Sequence, residues 1–278
     1  GIRDRSPYSG LGDVYKRQEW TISDDKMIYT FKLREGVKWH DGVEMTAEDV
    51  KYSLEVLFDD KFNTIATRPY YEGLKKIEII DKYNVRVIAK DKFWQNFDRA
   101  AGMRIYPKHF YSQDKKKSYF NKHLNGTGPY RLESYSRGNR ILLVKNPSWW
   151  GDKVENQKEW KFPKIVLRFV SDSNVSLEML KKGALDFKGL RPEEFVKKTN
   201  GKEFGKSVHK VITQNSSAKG YSFIGWNMKH PILKDRNVRK ALYHLVNRKL
   251  MIEKFEYNYS VPAVGPIYPS SPLSLIHI

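Results

Sequence analysis

Apolar and polar residues alternate over Tyr29–Leu33, which predicts a strand with one buried face. The pairs Glu35–Gly36 and Asp41–Gly42 follow it and indicate tight turns, because glycine adopts a positive φ without steric cost. Thr46 then stands where a helix N-cap belongs, and apolar residues continue at helical spacing as far as Leu57. The pattern predicts a strand, a turn and a helix in direct succession.

Two hairpins are predicted further along the chain. The first joins Lys76–Asp81 to Val85–Ala89, and the second joins Tyr130–Tyr135 to Arg140–Lys145 around a turn at Gly138. In both cases polar turn residues separate two alternating segments. We therefore expect antiparallel pairing within each hairpin.

Strand and helix patterns alternate in the middle of the chain. Lys164–Val170 predicts a strand, Ser173–Lys182 a helix that ends at Gly183, and Leu185–Phe187 the start of another strand. A strand, a helix and a strand in this order indicate a βαβ unit of a mostly parallel sheet.

Three further elements complete the pattern. Phe93–Ala101 has apolar residues four apart and predicts a helix, whereas Tyr221–Asn227 predicts a strand that ends in a polar residue. Asp235–Phe255 predicts a helix that Asn247–Arg248 divides into two pieces.

Five segments carry short motifs in a fixed order. They are Tyr29–Leu57, Asn125–Tyr130, Asn146–Gly151, Leu180–Asp186 and Asp235–Leu242. Taken together, they resemble the family 5 extracellular solute-binding proteins, which are the peptide- and oligopeptide-binding components of ABC importers. The resemblance covers Trp20 to Pro272, and one departure is Asn247, where the family usually has aspartate.

The resemblance implies an α/β fold of the periplasmic-binding-protein type, with two lobes, in the type II large cluster that has an extra subdomain. It implies that residues 19–127 form a smaller subdomain of lobe 1, residues 128–226 its larger α/β subdomain, and residues 227–272 the start of lobe 2. The first lobe would then be nearly complete and the second truncated.

The two ends of the chain differ from the rest. Residues 13–18 and 273–278 can be encoded by DNA strings that are reverse complements of each other, similar to the mosaic end of transposon-based sequencing libraries. We therefore expect residues 1–18 and 273–278 to be translated adapter. The alternative is a disordered basic N-terminus and an apolar C-terminal tail.

The resemblance also implies where a ligand would bind. Met103 and Arg104 match a position near the family's cleft, and Phe187, Gly189 and Arg191 lie just past a predicted strand, where α/β sheets bind ligands. A guanidinium such as that of Arg191 forms paired hydrogen bonds with a carboxylate. The alternatives are a buried methionine, a surface arginine beside it and a solvated loop arginine.

Two further segments contain tryptophan. Trp226 and Asn227 stand where the family crosses from lobe 1 to lobe 2, and we include them among the ligand-binding candidates. Trp149 and Trp150 could stack on a ligand, or they could fill the edge of a core, which large aromatic residues do more often.

The charge of the chain suggests a second class of function. There are 51 Lys and Arg residues against 32 Asp and Glu, a net charge of +19. A chain this basic could bind nucleic acid, anionic lipid or an acidic ligand. The lysines are mostly scattered, with the densest run at Lys115–Lys117, and no nucleic-acid-binding motif is present. Scattered lysines are typical of a solvated face.

No catalytic or metal site is predicted. The sequence has no cysteine, its 7 histidines do not cluster, and no serine stands in a nucleophile motif. Gly126 and Gly128 lack the lysine that a phosphate-binding P-loop needs. His40 beside Asp41 suggests a dyad, but adjacent residues on a turn point apart, which favours turn hydrogen bonds.

The leading hypothesis is a solute-binding protein without enzymatic activity, cofactor or metal. It would close around a peptide or similar solute and present it to an ABC permease in the membrane. We expect a monomer in the periplasm or on the outer face of the cytoplasmic membrane, with no nucleic acid as partner. The alternative is a basic nucleic-acid-binding protein, whose affinity would fall steeply with added salt.

Overall fold

The computed structural model describes residues 17–62, 64–113, 117–120, 123–153, 161–213, 221–263 and 265. The chain divides into two compact units, Gly1–Phe169 and Val170–Ile278, which we call the first and second units. Of the expected adapter ends, residues 1–16 and 273–278 lie outside the described residues, whereas the backbone of 17 and 18 belongs to a strand. The side chains of Lys115–Lys117 also lie outside them.

A four-stranded antiparallel sheet forms the centre of the first unit, in the order β1-β2-β4-β3. Its strands are β1 (Arg17–Ile22), β2 (Ile28–Leu33), β3 (Leu74–Ile79) and β4 (Asn84–Ala89). The alternation that predicted β2 is confirmed, because Tyr29, Phe31 and Leu33 are all buried. The predicted hairpin of β3 and β4 is confirmed as well.

Helix α1 (Ala47–Phe58) packs on this sheet and closes the core of the first unit. The predicted turns before it have positive φ, at Gly36 and Gly42, as glycine allows. The core draws its buried apolar side chains from β2, from the turn after it, from α1, from β3 and β4, and from residues 100–105. This is the strand, turn and helix that the sequence pattern predicted.

The described residues of this part of the first unit also form four short helices. They are α2 (Arg68–Tyr71), α3 (Asn96–Ala101), α4 (Lys108–Tyr111) and α5 (Lys117–Phe120). The predicted helix at Phe93–Ala101 therefore exists but begins at Asn96. Phe97 attaches α3 to the sheet, since its ring centroid lies 5.7 Å from that of Tyr29 and 6.2 Å from that of Phe31.

A second antiparallel sheet of the first unit has the order β5-β6-β7. Its strands are β5 (Tyr130–Ser136), β6 (Arg140–Lys145) and β7 (Lys164–Arg168), and a 3₁₀ turn covers Trp150–Lys153. The predicted second hairpin is confirmed, with Gly138 at φ 72° in its turn.

The described part of the second unit is helical. Its helices are α6 (Ser173–Lys181), α7 (Pro192–Lys197), α8 (Arg236–Leu245) and α9 (Arg248–Phe255). Asp172, one residue before the predicted start of the helix, caps α6 by accepting hydrogen bonds from two backbone N–H groups. The predicted division at Asn247 is confirmed, because its side chain accepts from Leu250 N at 3.0 Å and starts α9.

Three predictions about strands were wrong. Leu185–Phe187 and Tyr221–Asn227 form no strand, and β7 pairs antiparallel with β6, so no parallel βαβ unit is found among the described elements. Alternation marks a segment that is able to pair, but a strand exists only where a neighbour supplies hydrogen bonds to its backbone. In the described parts of the chain, neither segment has such a neighbour.

Candidate functional site

The opening motif of the first unit is tied together by a buried carboxylate. Asp49 is 4% exposed. Its Oδ2 accepts hydrogen bonds from Thr46 N at 3.0 Å and Trp39 Nε1 at 3.3 Å, and its Oδ1 accepts from Lys108 N at 2.8 Å. One side chain thus fixes the turn, the start of α1 and the segment that follows Arg104. Such a group serves the fold, because its oxygens are already bonded.

His40 links this motif to the glycine loop that precedes β5. Its backbone N donates to Gly126 O at 2.8 Å, and its Nδ1 accepts from Gly126 N at 3.3 Å. Because Nδ1 accepts, the ring proton of the neutral imidazole is on Nε2, which lies 3.1 Å from Gly128 O and donates to it. The ring therefore holds a distant loop, which is a structural role but not the hydrogen bonding within the turn that was predicted.

Asp41 adds further ties at the same place. Its Oδ2 lies 2.7 Å from His109 Nε2 and accepts from Asn125 Nδ2 at 2.6 Å, while its Oδ1 accepts from Val43 N at 3.1 Å. Burial acts to raise the pKa of this carboxyl, but these hydrogen bonds outweigh it and lower the pKa. Asp41 is therefore bonded to its turn and to two other segments, and forms no dyad with His40.

The third motif joins the same network. Asn146 N donates to Pro129 O at 2.8 Å, and Trp150 Nε1 donates to Thr127 O at 3.0 Å. Trp149 is 5% exposed. The alternative in which these tryptophans fill a core edge is thus favoured for Trp149. Three motifs that are far apart in the chain are thus joined by one hydrogen-bond network in the first unit.

Two ligand-binding candidates lie in the first unit. Met103 belongs to the core and is 1% exposed, which matches the alternative of a buried methionine. Arg104, the next residue, is exposed. Of this pair, the arginine therefore has the side chain available to a ligand.

Three candidates lie close together in the second unit, between α6 and α7. Phe187 is 85% exposed, and Gly189 has open space where a side chain would be. The side chain of Arg191 is 78% exposed, and its Nη2 lies 3.5 Å from Glu194 Oε1. This short segment presents a ring and a cation to solvent.

Glu194 anchors that segment, and the sequence analysis did not single it out. Its side chain is 5% exposed. A hydrogen bond from the Ser173 hydroxyl, with help from Arg191 N at 3.1 Å, lowers its pKa to about 2. Lys188 Nζ donates to the same serine oxygen at 2.9 Å. A usable signal was present, because Pro192 and Glu194 follow Arg191 at the spacing of a helix start.

The last two candidates belong to another stretch of the second unit. Trp226 is half-buried, and Asn227 is exposed. The side-chain oxygen of Asn227 accepts from Lys229 N at 3.1 Å and so shapes the turn that follows.

The described ranges hold no group of three or more His, Cys, Asp or Glu side chains that could bind a metal ion. In that same part of the chain, no helix has the length and apolar character of a membrane span.

Comparison with known proteins identifies similar chains along almost the whole length. The family model described as "Bacterial extracellular solute-binding proteins, family 5 Middle" matches residues 17–275. The glutathione-binding protein GsiB of Shigella flexneri serotype 5b is 26% identical, over 96% of this chain and 51% of that protein. This chain thus spans about half the length of that relative.

Two solved structures are also similar. NikZ from Campylobacter jejuni, in complex with Ni(L-His), has a TM-score of 0.75 and 26% identity, over 91% of this chain and 48% of that one. The oligopeptide-binding protein AppA from Bacillus subtilis, in complex with a nonapeptide, has a TM-score of 0.70 and 25% identity, over 94% and 49%.

Proposed function

This chain belongs to the bacterial extracellular solute-binding proteins of family 5 and has their mixed α/β fold, and on that premise we propose that it captures a peptide or a similar solute and delivers it to an ABC permease. The protein would act as a monomer outside the cytoplasm, in the periplasm or on the outer face of the membrane. It would bind without chemical change, cofactor or metal.

The main support for this proposal is the exposure of the side chains in the segment Phe187–Arg191. This segment presents an exposed ring and an exposed guanidinium, and a buried carboxylate holds its end in place. The side chains of Asp49, His40 and Asp41 in the first unit, in contrast, are already engaged in structural hydrogen bonds. A carboxylate of the solute would pair with Arg191, and a side chain of the solute would cover Phe187.

The relatives support a solute of this kind. One is named for glutathione and another was solved with a nonapeptide, and both ligands carry carboxylates and peptide groups. We propose that Arg104, Gly189, Trp226 and Asn227 also contact the solute, and that Met103 supports its neighbour Arg104 from the core of the first unit. We keep the division into subdomains at residues 127 and 226 as part of this proposal.

Capture would use closure of two lobes around the solute. A solute shifts the balance toward the closed state only by the difference between its affinities for the closed and the open state. Contacts that form only on closure therefore decide affinity, and exposed groups such as Arg191 are suited to make them.

Replacement of Arg191 tests the proposal. The full-length protein that contains this chain is titrated by calorimetry with a mixture of short peptides and then with its tightest members. Arg191→Gln should weaken binding about 10-fold or more, since a charge-assisted hydrogen bond is lost. The matched control Arg131→Gln, at an exposed arginine of β5, should change it little.

Equal affinity of Arg191→Gln and the parent protein would refute the role of this segment. Added salt separates the alternative, because nucleic-acid binding should collapse between 50 and 200 mM salt, roughly 10³-fold or more, whereas peptide capture should fall only slightly.

A further inference from the structure

A groove of about 580 Å³ lies on the first unit, between the turn after β2 and residues 147–153. Small-molecule sites commonly have volumes of several hundred Å³. Four cations and two anions line it, which leaves a formal charge of +2: Lys32, Arg34, Lys38 and Lys153 against Glu35 and Asp152. The groove is thus basic in a part of the molecule that the proposed solute binding does not use.

Arg34 is held in this groove by an aromatic ring. Its guanidinium carbon lies 5.4 Å from the centroid of the Trp150 ring, within cation–π distance. The Trp150 ring is itself fixed, because its Nε1 donates to Thr127 O at 3.0 Å. A guanidinium in a fixed orientation loses less entropy on meeting an anion than a free lysine would.

Trp149 forms a buried part of the groove wall. It lines the groove and is 5% exposed, yet its Nε1–H is buried without a hydrogen-bond partner among the described residues. An unsatisfied buried donor costs about 1–3 kcal/mol, and because this one is closed off from solvent, the cost belongs to the packing of Trp149 and not to a ligand contact.

Two lysines of the groove have no carboxylate partner in the part of the chain that the structure describes. Within the described ranges, Lys38 and Lys153 take part in no ion pair, whereas Lys32 lies 3.9 Å from Glu19. Charges that the protein leaves without a counter-charge are available to a ligand of opposite sign.

We propose that this groove binds a dianionic phosphoryl group. Such a group carries about −1.5 to −2 charges near pH 7, which matches the +2 of the lining, whereas a single carboxylate would leave it half neutralised. Its oxygens accept from Arg34 and from the lysines. The proposal does not depend on the capture of peptides.

Titration with inorganic phosphate tests it. Phosphate is added to the full-length protein at constant ionic strength, and binding is followed by calorimetry and by tryptophan fluorescence. Saturable binding is expected, and Arg34→Gln and Lys153→Gln should each weaken it about 10-fold or more. Lys164→Gln removes an exposed lysine outside the groove and should leave binding within about twofold.

Arg34→Gln also removes a contact with Trp150, so its fold is checked by circular dichroism, and Lys153→Gln serves as the variant with no such contact. Absence of saturable phosphate binding, or equal loss in Lys164→Gln, would overturn the proposal.

Vesicles distinguish the sources of the phosphoryl group. A soluble phosphate ester should compete with inorganic phosphate, while vesicles with phosphatidic acid should not bind. A lipid headgroup should instead make the protein sediment with those vesicles, but not with phosphatidylcholine vesicles, and free phosphate should release it. Either pattern supports the phosphoryl site. Sedimentation that Arg34→Gln and Lys153→Gln leave unchanged counts against it.

Discussion

The two units use similar apolar patterns with different results. In the first unit, Phe31, Val50 and Val85 come from separate segments and are each 1% exposed or less. Among the described residues of the second unit, the buried apolar side chains are Leu177 and Leu180, whereas Phe223 and Leu245 are 77% and 78% exposed. One unit encloses its own core, and the other presents apolar side chains outward.

This difference between the units shows that hydrophobic periodicity predicts a helix but not the surface that covers it. In α8, Val238, Leu242 and Leu245 recur at helical spacing, and the helix formed as predicted. Nothing in that spacing says what covers this face, and no helix or strand of the described residues buries it. In the first unit the sheet supplies the covering surface, so the same kind of pattern becomes a core.

The largest expected effect on stability comes from removing one buried phenylalanine ring of the first unit, and an exposed ring of the second unit serves for comparison. Phe31→Ala should lower the free energy of unfolding by about 3–5 kcal/mol, because it leaves a cavity in a closed core. Phe223→Ala, its matched control in the second unit, should change it by about 0.5 kcal/mol or less. Urea unfolding, followed by circular dichroism, measures both.

A cost of several kcal/mol for Phe223→Ala would mean that this ring is covered in solution, and the contrast between the units would then be lost.

The same contrast explains which parts of the fold were predictable. Strand β2, the turns at Gly36 and Gly42 and the start of α1 depend on neighbours a few residues away, and all were predicted. The strands expected at Leu185–Phe187 and Tyr221–Asn227 needed a distant partner and did not form. The local pattern was therefore enough to predict the helix and the turns, whereas a segment able to form a strand did so only where a distant strand paired with it.

In the candidate site, too, some features could be predicted from the sequence and others depended on contacts between distant residues. The resemblance pointed to the segment of Arg191, whose side chain is exposed, as that of a ligand-binding arginine or of a solvated loop arginine would be. The bond from Lys108 N to Asp49 and that from Asn125 to Asp41 span 59 and 84 residues, and no spacing rule reports contacts of that range. The burial of Met103 was foreseen only as an alternative, because a methionine beside an arginine fits either a core or a cleft.

The next largest effect is expected at the buried carboxylate of Asp49 in the first unit. Asp49→Asn replaces one accepting oxygen with an NH₂ group that faces N–H donors, so at least one buried hydrogen bond is lost. We expect a loss of about 2–3 kcal/mol, and hydrogen exchange should rise around Lys108 and the start of α1. Asp24→Asn, at an exposed aspartate, should be neutral. Protection unchanged near Lys108 would show that this tie does not hold the segment.

The smallest effects are expected at two carboxylates, Glu44 in the first unit and Glu194 in the second. The pKa of each is lowered to about 2. The causes differ, because Ser173 and Arg191 N bond the nearly buried Glu194, whereas Lys82 and Tyr83 bond Glu44, whose side chain is 31% exposed. Glu194→Gln should cost about 1.5 kcal/mol, and Glu44→Gln less than about 1 kcal/mol, since water and salt screen an exposed pair.

The pH dependence follows from the sign of these shifts. A carboxyl whose pKa is lower in the folded than in the unfolded state stabilises the fold above its unfolded value, 4.5 for Glu194, and loses that effect as the pH falls toward 2. The difference between the parent protein and Glu194→Gln should therefore be full above about pH 5 and shrink below it. Hydrogen exchange of α6 and α7 at pH 7 and pH 3 measures this difference locally. With 0.5 M salt, only the Glu44 effect should fade; if the Glu194 effect fades equally, then Glu194 is as open to water as Glu44.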